Sequence, residues 1–108
     1  MRLFLTLACV LLGLRAAWAE PVPDYWRKIV EEARGQTVYF NAWGGSASIN
    51  DYIAWAAAAV KERFGVDLVH VKLTDTADAV SRVLVEKEAG REEGGSVDLI
   101  WINGENFA

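Results

Sequence analysis

Cysteine and histidine are almost absent from this 108-residue sequence, and their scarcity excludes several kinds of site. The single cysteine, Cys9, lies in an N-terminal apolar run that we expect to be removed. The mature chain would then have no disulfide, no thiol nucleophile and no thiolate metal site. The single histidine, His70, stands between two valines in a predicted strand. A lone imidazole there is more often a packed residue than a metal ligand, so we expect no metal and no cofactor.

Basic residues are in the minority. The sequence contains fifteen Asp and Glu against eleven Lys and Arg, and two of the basic residues, Arg2 and Arg15, belong to the N-terminal segment. The mature chain would therefore have nine basic and fifteen acidic residues, a formal charge of −6. A domain of this charge without a basic patch is a poor match for nucleic acid or for anionic membrane surfaces.

The N-terminal segment has the pattern of a secretory signal peptide. A basic start precedes the apolar run from Leu3 to Leu14, and Ala17 and Ala19 are small residues at the two positions that a signal peptidase reads. We expect residues 1–19 to be removed and the mature chain to be periplasmic. The run is too short to span a bilayer, which takes about 20 apolar residues, so we expect no stable membrane insertion after cleavage.

Hydrophobic periodicity predicts an α/β fold for the remainder of the chain. One helix comes first, and strands are predicted over residues 37–42, 66–73 and 97–102, with a helix between each pair. Strands joined through helices in this order are expected to be parallel, because a βαβ crossover returns the chain to the same end of the sheet, and such crossovers are right-handed. The last strand has almost no polar residue, which is typical of a strand covered on both faces.

Polar residues predict where the three helices begin. Asp24 is the expected cap of the first helix. Ser48 with Asp51 three positions later resembles a capping box for the second helix. Thr74 or Asp75 is expected to cap the third helix.

Three polar loops are expected at one edge of this sheet, since the carboxyl ends of parallel strands lie together. They are the segments 43–48, 74–76 and 103–106. Ligands bind at such edges in open α/β sheets. Helix capping accounts for part of the polarity without any ligand.

The double glycine in the first of these loops has two interpretations. Gly44, Gly45 and Ser46 could hold a polar or anionic ligand with backbone N–H groups and a hydroxyl at a helix N-terminus. Equally, they could form a tight turn in which glycine supplies a positive φ. The loop lacks the nucleotide-binding and hydrolase patterns G-x-G-x-x-G, GK[ST] and G-x-S-x-G.

Aromatic and amide groups accompany the glycines. Trp43 is interpreted as an aromatic wall of a ligand pocket, or else as a cover of the core, whereas Trp101 is expected in the core. The segment Asn103-Gly104-Glu105-Asn106 is either a source of ligand contacts or a turn and helix cap. The predicted ligand-binding residues are Trp43, Gly44, Gly45, Ser46, Asn103, Gly104, Glu105 and Asn106.

Three stretches together resemble the start of YnjB-type periplasmic solute-binding proteins of ABC import systems. They are residues 38–45, 70–76 and 97–107. The resemblance implies a type II periplasmic-binding-protein fold, in which two lobes close by a hinge on a ligand between them. Residues 20–108 would then be the N-terminal part of the first lobe of a truncated protein. The strand-end residues given above would line the cleft.

The sequence and the resemblance together predict a non-catalytic solute-binding component of an ABC import system. It would bind a small polar solute in an interlobe cleft and deliver it to an inner-membrane ABC permease. The alternative is a secreted α/β enzyme, a hydrolase or transferase, whose catalytic residues lie beyond Ala108. Neither interpretation identifies the solute.

Overall fold

The computed structural model describes residues 20–104. The predicted signal peptide, residues 1–19, lies outside the described residues, and so do the candidate site residues Glu105 and Asn106. The elements are α1 (Asp24–Ala33), β1 (Thr37–Trp43), α2 (Ala47–Phe64), β2 (Asp67–Leu73), α3 (Thr76–Glu88) and β3 (Leu99–Ile100).

The three strands form one parallel sheet in the order β2-β1-β3. The predicted α/β fold and its β-α-β-α-β order are therefore confirmed. The crossover through α2 runs from β1 to one side, and the crossover through α3 returns past β1 to the other side. Right-handed crossovers in opposite directions place α2 and α3 on opposite faces of the sheet. The sheet is compatible with a type II binding-protein lobe without distinguishing it from other α/β folds.

The central strand β1 is hydrogen-bonded on both edges. Its seven residues pair with β2 in a register that matches Thr37 with Asp67 and Trp43 with Leu73. On its other edge, Phe40 pairs with Leu99. Burial follows the same pattern, since Asn41 and Ala42 in the middle of β1 are fully buried.

The third strand is shorter than predicted, two residues rather than the six of segment 97–102. The chain nevertheless follows β1 on either side of it. Asp98 accepts the Tyr39 N–H with its carboxylate at 2.7 Å and donates its own N–H to the Tyr39 carbonyl at 3.1 Å. Beyond the strand, the Trp101 N–H reaches the Asn41 carbonyl at 2.9 Å. The side chain of Asp98 thus replaces a backbone acceptor in the ladder.

The helix caps correct two of the three predictions. Pro23, not Asp24, precedes α1, and Asp24 instead pairs with Arg27 inside the first turn. The cap of α2 is Ser46 rather than Ser48, because Ser46 has an extended backbone and accepts the Ile49 N–H at 3.5 Å. The prediction of Asp75 is confirmed, since its carboxylate accepts the Ala77 N–H at 2.9 Å.

The core is small and lies between the sheet and the two crossover helices. Its buried apolar residues are Ala42, Ile53, Val66, Leu73 and Ala79. Helix α1 contributes no buried residue within the described chain, although its sequence is strongly amphipathic. Over residues 20–104, no helix has both the length and the apolar character that crossing a bilayer requires.

The loop before β3 is tied to α3 by one carboxylate. Glu86 accepts the Ser96 hydroxyl at 2.6 Å and the Ser96 N–H at 3.2 Å, and its side chain is only 17% exposed. These hydrogen bonds, followed by the nearby guanidinium groups of Arg91 and Arg82, lower the pKa of Glu86, although desolvation opposes them. The contact fixes the start of the segment that leads into β3.

We predict that this carboxylate makes folding stability fall in acid. Folding lowers the pKa of Glu86 below its ordinary value of 4.5. Its stabilisation is therefore complete above that value and is lost as the pH falls through the lower folded-state value. Urea denaturation from about pH 7 to about pH 3 should show a smaller loss of unfolding free energy in Glu86→Gln than in the native chain. Glu88→Gln, an exposed carboxylate on the same helix, is the control. Equal pH slopes for all three proteins would contradict the assignment.

Candidate functional site

Three hollows adjoin one another at the carboxyl edge of the sheet, and Trp43 lines all of them. This edge lies where the chain passes from β1 into α2, from β2 into α3, and onward from β3. The crossovers run in opposite directions, from β1 to β2 and then from β2 past β1 to β3, which makes the junction of β1 and β3 the switch point of the sheet. Crevices of this kind are the usual ligand sites of open α/β sheets.

The first hollow is a cavity of about 90 Å³ between two tryptophans. Its lining residues are Trp43, Ile49, Thr76, Trp101 and Asn103. Both indoles are about half exposed, 48% in each case, so each presents part of its surface to a potential ligand. The cavity is much smaller than the roughly 300–1,000 Å³ of pockets for drug-sized ligands, so it accommodates one small chemical group.

The prediction that Trp101 belongs to the core is wrong. The residue lies just beyond β3, where its indole stacks on the Phe40 ring at 6.5 Å and 11° between the planes. Offset stacking of this kind fixes the ring orientation. Trp101 therefore packs against Phe40 of β1 and also lines the cavity.

The second hollow is polar. It has a volume of about 260 Å³ and lies between Trp43, the segment 74–76 and Asn103. The carboxylate of Asp75 caps α3 and remains exposed to solvent. Hydroxyl, amide and carboxylate groups therefore surround one side of the Trp43 ring.

The third hollow, of about 210 Å³, lies beside the double glycine and includes Lys72 and Thr74. The interpretation of the glycines as a turn with a positive φ is wrong. Neither Gly44 nor Gly45 has a positive φ. The Gly44 N–H is already donated to the Leu73 carbonyl at 2.8 Å, which extends the ladder between β1 and β2.

Close contacts explain why glycine occupies both positions. A Cβ at Gly44 would lie 2.7 Å from the Cβ of Lys72 on the neighbouring strand. A Cβ at Gly45 would overlap the six-membered ring of the Trp43 indole. Gly45 thus provides the space in which the Trp43 ring lies across the loop.

The residues after the glycines serve the helix. The Ser46 hydroxyl accepts the Ile49 N–H and lies 3.1 Å from the Ser48 hydroxyl. Asn50 donates its side-chain N–H to the Gly44 carbonyl at 3.0 Å and so ties the loop to the first turn of α2. These contacts position Trp43 between the strand and the helix.

Thr76 connects the start of α3 to the chain that follows β3. It is the first residue of α3, it is buried, and its hydroxyl donates to the Trp101 carbonyl at 3.4 Å. The start of α3 and the end of β3 are therefore held together where both line the cavity. Of the predicted site residues, Asn103 lines two hollows, and Gly104 follows it with a φ of +59°.

Three residues of the cavity are not among the site residues predicted from the sequence, namely Ile49, Thr76 and Trp101. Thr76 belongs to a segment that was expected at this edge, but as a capping segment. For Trp101 the available signal is the two-residue periodicity of a strand, which places Trp101 on the same face as Leu99. Nothing in the sequence pattern distinguishes Ile49 from the other apolar residues of α2.

The described residues at this edge of the sheet offer groups that could bind a ligand. Between residues 20 and 104, no three His, Cys, Asp or Glu side chains are grouped in a way that could hold a metal ion. His70 is half-buried, with its Nε2 3.2 Å from the Ala42 carbonyl oxygen. The edge of the sheet provides aromatic faces, hydroxyls, an amide, one carboxylate and one ammonium group.

A comparison with curated proteins finds similarity to Protein YnjB of Escherichia coli (strain K12). The two chains are 54% identical over 82 residues, which is 76% of this chain and 21% of that protein. The chain therefore spans about a fifth of the length of the relative that it matches. No protein-family model matches the chain. No solved structure matches it either.

These findings correct the predicted family. The name of the matched protein states neither a transport role nor a solute, and the match covers only 21% of it. The identification as an ABC-type periplasmic solute-binding protein is therefore wrong as a statement of family. The finding supports similarity to part of Protein YnjB.

We predict that Gly45→Ala displaces the Trp43 indole and destabilises the chain. The added methyl group would overlap the ring, and overpacking of this kind costs about 1–3 kcal/mol. Chemical denaturation followed by tryptophan fluorescence measures both effects. The matched test is a double-mutant cycle with Trp43→Ala, in which removal of the ring should abolish most of the cost of the alanine. Additive effects of the two substitutions would show that the ring does not determine the requirement for glycine.

Proposed function

We propose that this chain forms one wall of a binding site for a small polar solute. The arrangement of three adjoining hollows around Trp43, at the switch point of a parallel sheet, is the observation that carries the proposal. The site has aromatic surface and hydrogen-bonding groups, the usual combination for small-molecule recognition. We propose binding without catalysis.

The proposal extends to the fold and to the mode of action. We propose that the sheet β2-β1-β3 begins a lobe of the type II periplasmic-binding-protein kind, with a second lobe closing over the Trp43 edge. The open hollows support this proposal, because a site with one wall needs an opposing surface to exclude water. Ligand-dependent closure would then couple binding to a change of shape.

The proposed location is the periplasm, after removal of residues 1–19. A binder outside the inner membrane can pass a polar solute inward only through a membrane protein. We therefore propose an inner-membrane ABC permease as the partner. The apolar pattern of the N-terminal segment supports export.

Native mass spectrometry of the full-length protein, purified from its host, tests whether a solute is retained. We expect a mass above that of the apoprotein, which disappears after partial unfolding and dialysis. A protein that carries no small molecule and binds none from a host metabolite extract would count against the proposal.

We predict that Trp43→Ala weakens binding of the retained solute by at least about tenfold, because Trp43 lines every hollow of the site. Isothermal titration calorimetry measures the affinity. Trp55→Ala is the matched control, because Trp55 is a more exposed indole, 65%, that lies beside Tyr52 on α2 and outside the three hollows. Equal affinities for the native chain and Trp43→Ala would remove Trp43 from the site.

A further inference from the structure

We propose that the solute is an organic cation whose ammonium group is held between Trp43 and Trp101. This inference rests on the proposed function and names the class of ligand for the same site. The two indoles line one cavity of about 90 Å³, and each is about half exposed. Tryptophan is the best aromatic partner for a cation, and paired aromatic faces are the usual means of binding quaternary ammonium groups.

The charges around the cavity favour a cation on one side of Trp43. The polar hollow that adjoins the cavity shares Trp43, Thr76 and Asn103 with it and adds the carboxylate of Asp75. This carboxylate would interact with a cation on the cavity side, and the amide of Asn103 and the hydroxyls would bind a polar tail. The acidic balance of the sequence, fifteen acidic residues against eleven basic ones, also favours the approach of a cation.

The one ammonium group among the lining residues, that of Lys72, belongs to the hollow beside Gly44 and Gly45, which shares only Trp43 with the cavity. The polar hollow, which includes Asp75, shares Trp43, Thr76 and Asn103 with the cavity. The N-termini of α2 and α3, which carry partial positive charges, also lie at the cavity, since Ile49 and Thr76 belong to their first turns. By shared lining residues, the carboxylate of Asp75 nevertheless adjoins the cavity more closely than the ammonium group of Lys72 does.

A neutral polyol is the competing class, because sugars also stack on tryptophan and bind amide groups. A charge-matched pair of probes separates the two. Choline and 3,3-dimethylbutan-1-ol have nearly the same shape, but the second carries a neutral carbon where choline has the quaternary nitrogen. Cation–π attraction and the carboxylate of Asp75 act only on choline.

Isothermal titration of the full-length protein with choline, 3,3-dimethylbutan-1-ol and glucose tests the inference. We expect choline to bind at least about tenfold more tightly than its neutral isostere. Asp75→Asn should weaken choline binding about three- to tenfold, since asparagine keeps the helix cap and removes the charge. Trp101→Ala should weaken choline binding further, and Trp55→Ala should leave it unchanged.

The possible failures are distinguishable. Equal affinities for choline and its isostere, or an unchanged choline affinity in Asp75→Asn and Trp101→Ala, would overturn the cation inference. Binding of glucose or of a neutral retained solute at Trp43, without binding of choline, would overturn the inference and leave the proposed function intact. Failure of all three probes, together with a protein that retains no solute, would overturn both.

Discussion

The pairing of β1 on both of its edges is the constraint on which the site depends. On one edge the ladder runs over seven residues and continues through the hydrogen bond from Gly44 to Leu73. On the other edge it continues past β3 through the bond from Trp101 to Asn41. Both ladders therefore reach the carboxyl end of the sheet. Trp43 and Trp101 line one small cavity because β1 and the chain that continues from β3 stay hydrogen-bonded up to this point.

This pairing places a polar side chain at the centre of the sheet. Asn41 is fully buried, and a buried amide without partners would cost several kcal/mol. Its side-chain amide oxygen accepts from the guanidinium of Arg82 on α3 at 3.3 Å, and its side-chain NH₂ group donates to the Tyr39 carbonyl at 3.3 Å. The same helix begins at Thr76, which bonds to the Trp101 carbonyl. Helix α3 is thus attached to the sheet by polar contacts at its first turn and farther along its length.

The order and type of the elements could be predicted from the sequence because they depend on periodicity and on breaks at glycine. The helical connections between the strands predicted a parallel sheet, and a parallel sheet places the three polar loops at the same edge. The roles of single residues were less predictable. Trp101 has a strand-like neighbourhood in sequence, yet it lies just beyond β3 and is about half exposed. At the other end of β3, the carboxylate of Asp98 supplies part of the ladder. A side chain that substitutes for backbone shortens a strand without changing its hydrophobic pattern.

The double glycine shows a different limit. A local pattern of two glycines before a helix indicates either a positive φ or free N–H groups. The observed reason is contact with Lys72 on a neighbouring strand and with the ring of Trp43. The first contact is set by strand register, which pairs residues 30 positions apart. Only a knowledge of tertiary contacts could identify it.

The hydrogen bonds that the loop 43–48 makes within the fold limit which of its groups can contact a ligand. The Gly44 N–H belongs to the ladder, and the Ser46 hydroxyl belongs to the cap of α2, so neither is free to select a ligand. Side chains that follow different strands, namely Trp43, Asp75 and Asn103, line the hollows as well. Their relative positions depend on the first turns of α2 and α3 and on the end of β3. A ligand that contacts all three would stabilise the packing of these elements, so binding and local stability are coupled at this edge.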